Sequence, residues 1–208
     1  MTPRRTDVYV VEDDEAVRKS LCWLIESADH PARGFASADA LLADFDPQGP
    51  GCVVTDVRMP GMDGLDMMQE VVARTDLLPV VVITGHGDIE MAVGAMKDGA
   101  FDFVEKPFEE NTLLAVIERA IEESRRRYAA RERDRDLWDG MERLTPRERE
   151  VLGHIIDGVP NRGVAEKLEI SEKTVEAHRA HIMEKMQADS FADLITRVVQ
   201  GRLLNAGR

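Results

Sequence analysis

Hydrophobic runs and helical periodicity alternate regularly through the first half of the chain. Runs at 8–11, 32–35, 53–55, 79–84 and 101–104 are rich in β-branched or aromatic residues, the second being the weakest. Nearly all-apolar runs of this length read as strands covered on both faces, as in a parallel sheet. Each is followed by a helical pattern. Val17, Leu21, Leu24 and Ile25 recur at helical spacing after the first, and Ser37 caps a helix beginning at Ala38. Residues 65–75 form an amphipathic helix, 89–97 another closed by Gly99, and a long helix starts at Asn111 or Thr112 with Leu114, Ile117, Ile121 and Tyr128 on one face. Strand and helix repeated five times predict a doubly wound α/β domain on a five-stranded parallel sheet.

The second half reads differently. Residues 124–139 lack Pro and Gly, lose the apolar stripe after Tyr128 and alternate opposite charges, which predicts a solvated helical linker. Gly140 is read as its end. Thr145, Pro146 and Glu148 then spell a capping box with proline at the first helical position. Val151, Leu152, Ile155 and Ile156 form the buried face of that helix. A short helix around Val164, Ala165 and Leu168, a turn at Glu169-Ile170, a helix from Glu172 to Met186 capped by Ser171, and a last helix over 191–199 complete a small all-α domain. Two helices joined by a tight turn, the second longer and polar outside, make a helix-turn-helix pattern.

Composition sharpens this division. The 208 residues are 43% hydrophobic and 32% charged, ordinary values for a soluble chain. No apolar run approaches the ~20 residues needed to span a bilayer, and no signal-peptide pattern follows Arg4 and Arg5, so the expected location is cytoplasmic and no membrane partner is expected. Cys22 and Cys52 fit no metal spacing and read as buried thiols. The net charge of −13 divides into −15 over residues 1–124, +2 over 125–140 and zero over 141–208. The arginines of the middle stretch could serve nucleic acid, but the interleaved acids cancel their field, so a linker is the reading adopted.

Chemistry collects at the ends of the strands, where ligands of open parallel sheets bind. The first run ends in Glu12-Asp13-Asp14-Glu15, the third in Asp56, the fourth in Thr84-Gly85, and the fifth leads to Lys106-Pro107. Asp14 and Glu15 suit a helix N-terminus, whereas Glu12 and Asp13 suit a hard cation such as Mg²⁺. Asp56 taken alone could make an Asx-turn, but with its neighbours it reads as a nucleophile, Thr84 as a donor to a phosphoryl oxygen and Lys106 as the neutralising charge. His86 stands apart between glycines and reads as a loop residue rather than a ligand.

Glu12-Asp13, Asp56-Val-Arg-Met-Pro-Gly-Met-Asp-Gly, Thr84-Gly and Lys106-Pro107-Phe108 together resemble the receiver domain of two-component response regulators over residues 6–124. The resemblance implies a flavodoxin-like fold, Mg²⁺ held by Asp13, Asp56 and the Arg58 backbone carbonyl, and phosphorylation of Asp56 by a sensor histidine kinase. Glu12 stands where Asp is commoner, which implies a water-mediated approach to the metal. Phe103 stands where the family often has Tyr, so an aromatic switch with Thr84 lacks a phenolic hydroxyl. Such a domain is not an enzyme beyond its own phosphotransfer and dephosphorylation.

In the helical half, Leu144-Thr145-Pro146-Arg147-Glu148, Asn161-Arg162, Ala165, Leu168, Ile170-Ser171, Thr174-Val175, His178 and Lys185 resemble the LuxR/FixJ class of helix-turn-helix. The resemblance implies double-stranded promoter DNA as partner, a homodimer on phosphorylation, and RNA polymerase as a further candidate. Val175, Ile182 and Met186 should face the core. Lys173, Thr174, Glu176, His178 and Arg179 then point to the major groove behind the Ser171 cap, and Arg162 and Lys185 serve the same face, Lys185 as a phosphate contact. The division expected is receiver 6–124, linker 125–140 and DNA-binding domain 141–208. Two rivals remain at this stage. One is an aspartyl-phosphate phosphatase, which as a class carries a second acid where this chain has Arg58. The other is a phosphorelay receiver whose helical domain binds only protein, which its zero net charge would suit.

Overall fold

The computed structural model describes residues 7–45, 49–85 and 89–205; His86 and Gly87 lie outside them. Five parallel strands, β1 (Asp7–Val11), β2 (Ala32–Phe35), β3 (Gly51–Asp56), β4 (Val80–Thr84) and β5 (Asp102–Glu105), stand in the order β2-β1-β3-β4-β5. Between them run α1 (Glu15–Ser27), α2 (Ala38–Ala43), α3 (Gly64–Arg74) and α4 (Ile89–Lys97), and α5 (Glu110–Arg143) follows. Successive strand residues point to opposite faces. Val53, Val80 and Val82 therefore join Leu41, Met67, Met68 and Val71 in one apolar layer. Cys52, Val54, Val81 and Ile83 join Leu21, Ile25, Leu113, Ile117 and Ile121 in the other. Both faces of β3 and β4 are covered, which is why their sequences carry no polar alternation.

Register brings the strand ends to one edge. Val11 pairs with Thr55, Asp56 with Ile83, and Thr84 with Glu105. Asp14, Ser37 and Asp63 cap α1, α2 and α3 through side-chain oxygens that accept from backbone N–H groups.

The chain separates into two compact units, Met1–Ala129 and Ala130–Arg208. The packing of the first reaches past residue 124. Ser124 is fully buried; its hydroxyl donates to the Leu77 carbonyl at 2.6 Å and accepts from the Gly51 N–H at 3.0 Å. Arg127 donates to the Asp76 carbonyl, and Tyr128 is buried in the first layer. Gly140 does not end α5, which continues to Arg143. A Cβ there would stand 2.9 Å from Met186 Sδ, so this glycine answers a close approach between helices rather than a break.

The second unit contains α6 (Pro146–Ile156), α7 (Asn161–Leu168), α8 (Glu172–Lys185) and α9 (Phe191–Asn205). Its core is built from Leu137, Leu144, Val151, Leu152, Ile155, Val164, Val175, Ile182, Met186, Leu194 and Val198. Val175, Ile182 and Met186 face inward as their spacing predicts. The α7–α8 turn is tight: Glu169 adopts the left-handed region (φ 55°), and the Ile170 N–H returns to the Ala165 carbonyl.

Candidate functional sites

At the carboxyl edge of the sheet, the Lys106 ammonium lies between two carboxylates. It pairs with Asp56 Oδ1 and with Glu12 Oε2, the latter at 3.1 Å. The second oxygen of Asp56 accepts from the Arg58 N–H at 2.7 Å, which fixes the rotation of the carboxylate. Glu12 is also held at its other oxygen by the Asp14 N–H (3.3 Å), and Arg18 donates to the Glu12 and Asp13 carbonyls. The ends of β4 and β5 are tied by backbone as well, since the Lys106 N–H donates to the Thr84 carbonyl at 2.7 Å. Thr84 is buried and its hydroxyl donates to the Gly85 carbonyl, while Phe103 on the neighbouring strand is 39% exposed.

Burial pushes the Glu12 carboxyl above its usual range, with Lys106 drawing it partly back. Burial likewise pulls Lys106 downward, but its hydrogen bonds to Asp56 and Glu12 outweigh this and leave it raised, hence firmly cationic. Asp13 is exposed, and with Arg58, Met59, Pro60 and Asp63 it lines an open depression beside this pair. Asp13 contributes a carboxylate there, the ligand type a hard cation selects. Glu12 and Asp56 each have both oxygens accepting from protein donors, and Glu12 is the more buried of the two. A carboxylate keeps lone pairs beyond those bonds, so Asp56 with the exposed Asp13 and the Arg58 carbonyl still fits Mg²⁺, which takes one or two carboxylates and keeps water and phosphate in its remaining positions.

Gly64 supports the site from behind. A Cβ on it would lie 2.0 Å from the Asp56 carbonyl oxygen and 3.0 Å from Thr55 Oγ1. Only glycine lets α3 start this close under the acceptor.

On α8, the Ser171 hydroxyl accepts from the Thr174 N–H at 3.0 Å and lies 2.7 Å from Thr174 Oγ1, so both side chains are used in capping. Lys173 and Glu176 are exposed, as are Ala177 and Ala180 on the same face. Sequence reasoning passed over the two alanines because they carry no polar group. The other expected DNA residues are placed differently. Arg179 is half-buried, donating to Asn161 Oδ1 at 2.6 Å with its guanidinium 4.0 Å above the Phe191 ring centre. His178 is half-buried, and Arg162 is exposed and paired with Glu166 at 3.1 Å. Lys185 does not stand free towards a phosphate. Its ammonium donates to both oxygens of Glu148, at 2.9 and 2.7 Å.

Glu148 is the N3 residue of the α6 capping box, and its carboxylate also accepts from the Thr145 N–H at 2.7 Å. The Lys185 hydrogen bond, aided by Thr145 and opposed by burial, holds the Glu148 carboxyl down to about 2. A carboxyl depressed in the folded state adds stability above its unfolded pKa and loses it as pH falls through the folded value. Acid unfolding of the second unit should therefore show a loss of about 2–3 kcal/mol between pH ~5 and ~2. Glu148→Gln, which preserves the capping geometry, should flatten that dependence in urea melts followed by circular dichroism.

A parallel α/β unit with a lysine-closed acidic site, followed by a helix-turn-helix unit, defines the class of receiver proteins coupled to a DNA-binding module. Comparison with known families agrees for both parts. Residues 8–118 match the response regulator receiver domain, and residues 142–198 match the luxR family of bacterial regulatory proteins. The chain is 40% identical over 198 residues to the transcriptional regulatory protein FixJ of Bradyrhizobium diazoefficiens, covering 95% of this chain and 97% of that one. It is 43% identical over 188 residues to nodulation protein W of the same organism, covering 90% and 83%. Among solved structures, the response regulator StyR aligns with a TM-score of 0.84 and 41% identity over 94% of this chain and 99% of that one. Full-length FixJ from B. japonicum aligns with a TM-score of 0.58 and 39% identity over 96% and 98%. The chain belongs to the two-component response regulators that join a receiver to a LuxR-family helix-turn-helix, and it is a transcription regulator of that type. No helix among the described residues is long and apolar enough to cross a membrane.

Proposed function

We propose that a sensor histidine kinase phosphorylates Asp56 and that the modified protein reads promoter DNA with α8. The observation that carries this reading is the Lys106 ammonium bridging Asp56 and Glu12 at the edge where Thr84 also ends its strand. One Asp56 oxygen attacks phosphorus, the phosphorus–nitrogen bond to the kinase histidine breaks, and an acyl phosphate forms. Lys106 then exchanges its carboxylate contact for a phosphoryl oxygen, and Arg58 N–H keeps the second Asp56 oxygen in place. Thr84 turns its hydroxyl from the Gly85 carbonyl to the phosphoryl group, vacating space into which Phe103 moves. Asp13, Asp56 and the Arg58 carbonyl would hold Mg²⁺, which would supply charge neutralisation for the transfer. Glu12 acts from behind by holding Lys106.

In the second unit, Lys173, Glu176, Ala177 and Ala180 present an open face on which Glu176 can accept from cytosine N4 and the alanines can meet thymine methyls. Arg162 adds charge at the rim. Phosphorylation favours a homodimer that meets two half-sites. The functional division is receiver 6–124, linker 125–140 and DNA-binding domain 141–208, and the protein acts in the cytoplasm with RNA polymerase within reach of the bound promoter.

Thr84→Ala separates chemistry from switching. It should accept phosphate from a small phosphodonor as wild type does, yet lose most of the gain in operator binding that phosphorylation brings. A full gain in this variant would remove Thr84 from the switch.

A further inference from the structure

Helix α8 is fastened to three neighbours by side chains outside its open face. Arg179 reaches the first residue of α7 through Asn161 and the first residue of α9 through Phe191. Lys185, in the last turn, reaches the first turn of α6 through Glu148. The Glu148 side chain is only 4% exposed, and Lys185 is its sole cationic partner within 3 Å among the described residues. The nearest other candidate, His181, stands 4.0 Å away and faces solvent. Drawing the ammonium away to a DNA phosphate would leave that carboxylate buried without its countercharge. Such a loss outweighs what one solvent-exposed phosphate contact returns.

We propose that Lys185 is a positioning residue: acting through Glu148, it seats α8 on α6 and so sets which base edges Glu176, Ala177 and Ala180 meet. This rests on the reading of α8 as the base-reading helix. The readers lie five to nine residues before Lys185, roughly 8–14 Å along the axis. Base readout depends on hydrogen bonds whose strength falls off steeply with angle and distance, so a tilt at the fastened end degrades recognition at the readers. Binding to phosphates in general tolerates the same tilt. The pair therefore governs specificity, whereas a phosphate ligand would govern overall affinity and its salt dependence.

The test uses the full chain and two DNA probes: duplexes selected by the wild type from a random-sequence pool, and scrambled duplexes of equal length. Lys185→Met keeps the aliphatic stem and removes the charge. It should bind the selected duplex at least ~10-fold more weakly and the scrambled duplex unchanged, with the same slope of log affinity against log salt. Lys185→Arg should recover much of the difference. Pairing Lys185→Met with Glu148→Gln should cost no more than Lys185→Met alone, because the orphaned charge is gone. If Lys185→Met does not fold by circular dichroism, Glu148→Gln alone carries the test, with the same fall in the selected-to-scrambled ratio at constant salt slope. Equal weakening on both probes with a slope reduced by about one would make Lys185 a phosphate ligand and overturn the proposal. Glu176→Gln is the control for the underlying reading: if it leaves base preference unaltered, the assignment of α8 as reader fails, independently of Lys185.

Discussion

Asp56→Asn should abolish Mg²⁺-dependent labelling by a small phosphodonor such as acetyl phosphate. The variant preserves size and lets the side-chain oxygen accept from Arg58 N–H or Lys106, so the fold should persist. What disappears is the anionic nucleophile. Asp13 is exposed to solvent at the same edge, whereas Asp56 has the Lys106 ammonium against it, and Asp63 is committed to capping α3 through the Leu65 and Asp66 N–H groups. Neither should take over. Phosphate mass remaining on Asp13 or Asp63 in digests of the variant would move the acceptor elsewhere.

Gly64→Ala should be among the most damaging single-methyl changes in the first unit. The added Cβ meets the Asp56 carbonyl oxygen at 2.0 Å and its carbon at 2.9 Å, and both are backbone atoms of a central strand. No rotamer relieves that contact. Overpacked cores typically lose 1–3 kcal/mol when side chains give way, so a clash with backbone should cost at least ~3 kcal/mol. Because α3 and the end of β3 must separate, labelling of Asp56 should fall with stability. Urea unfolding followed by far-ultraviolet circular dichroism measures the first effect, and an unchanged midpoint would mean that α3 can start elsewhere.

Much of the receiver site is legible in the sequence because its parts are local. A β-branched run followed by an acid, a hydroxyl or Lys-Pro announces a strand end, and parallel order then places Glu12, Asp56, Thr84 and Lys106 on one edge. The capping residues Asp14, Ser37, Thr145 and Ser171 are legible for the same reason, since each acts within three residues of itself. What stays hidden depends on partners far apart in the chain. Glu148 and Lys185, separated by 37 positions, each look like a surface charge, and only the packing of α8 on α6 makes one buried and the other its counterion. Arg179 likewise suggests a DNA contact until Asn161 and Phe191 are seen beside it. Ala177 and Ala180 give no chemical signal at all; their exposure singles them out. Gly140 shows the opposite error. Glycine signals a break by propensity, but here the absence of a side chain is used to admit Met186.

The central claim is that a phosphoryl group on Asp56 controls DNA recognition by α8, and nuclease footprinting of the region upstream of the protein's own coding sequence tests it most directly. Protection should appear at far lower protein concentration with acetyl phosphate and Mg²⁺ than without. It should be insensitive to the phosphodonor in Asp56→Asn, and it should shift to altered base preferences in Glu176→Gln. Equal protection of the same bases by wild type with and without phosphodonor would contradict the account.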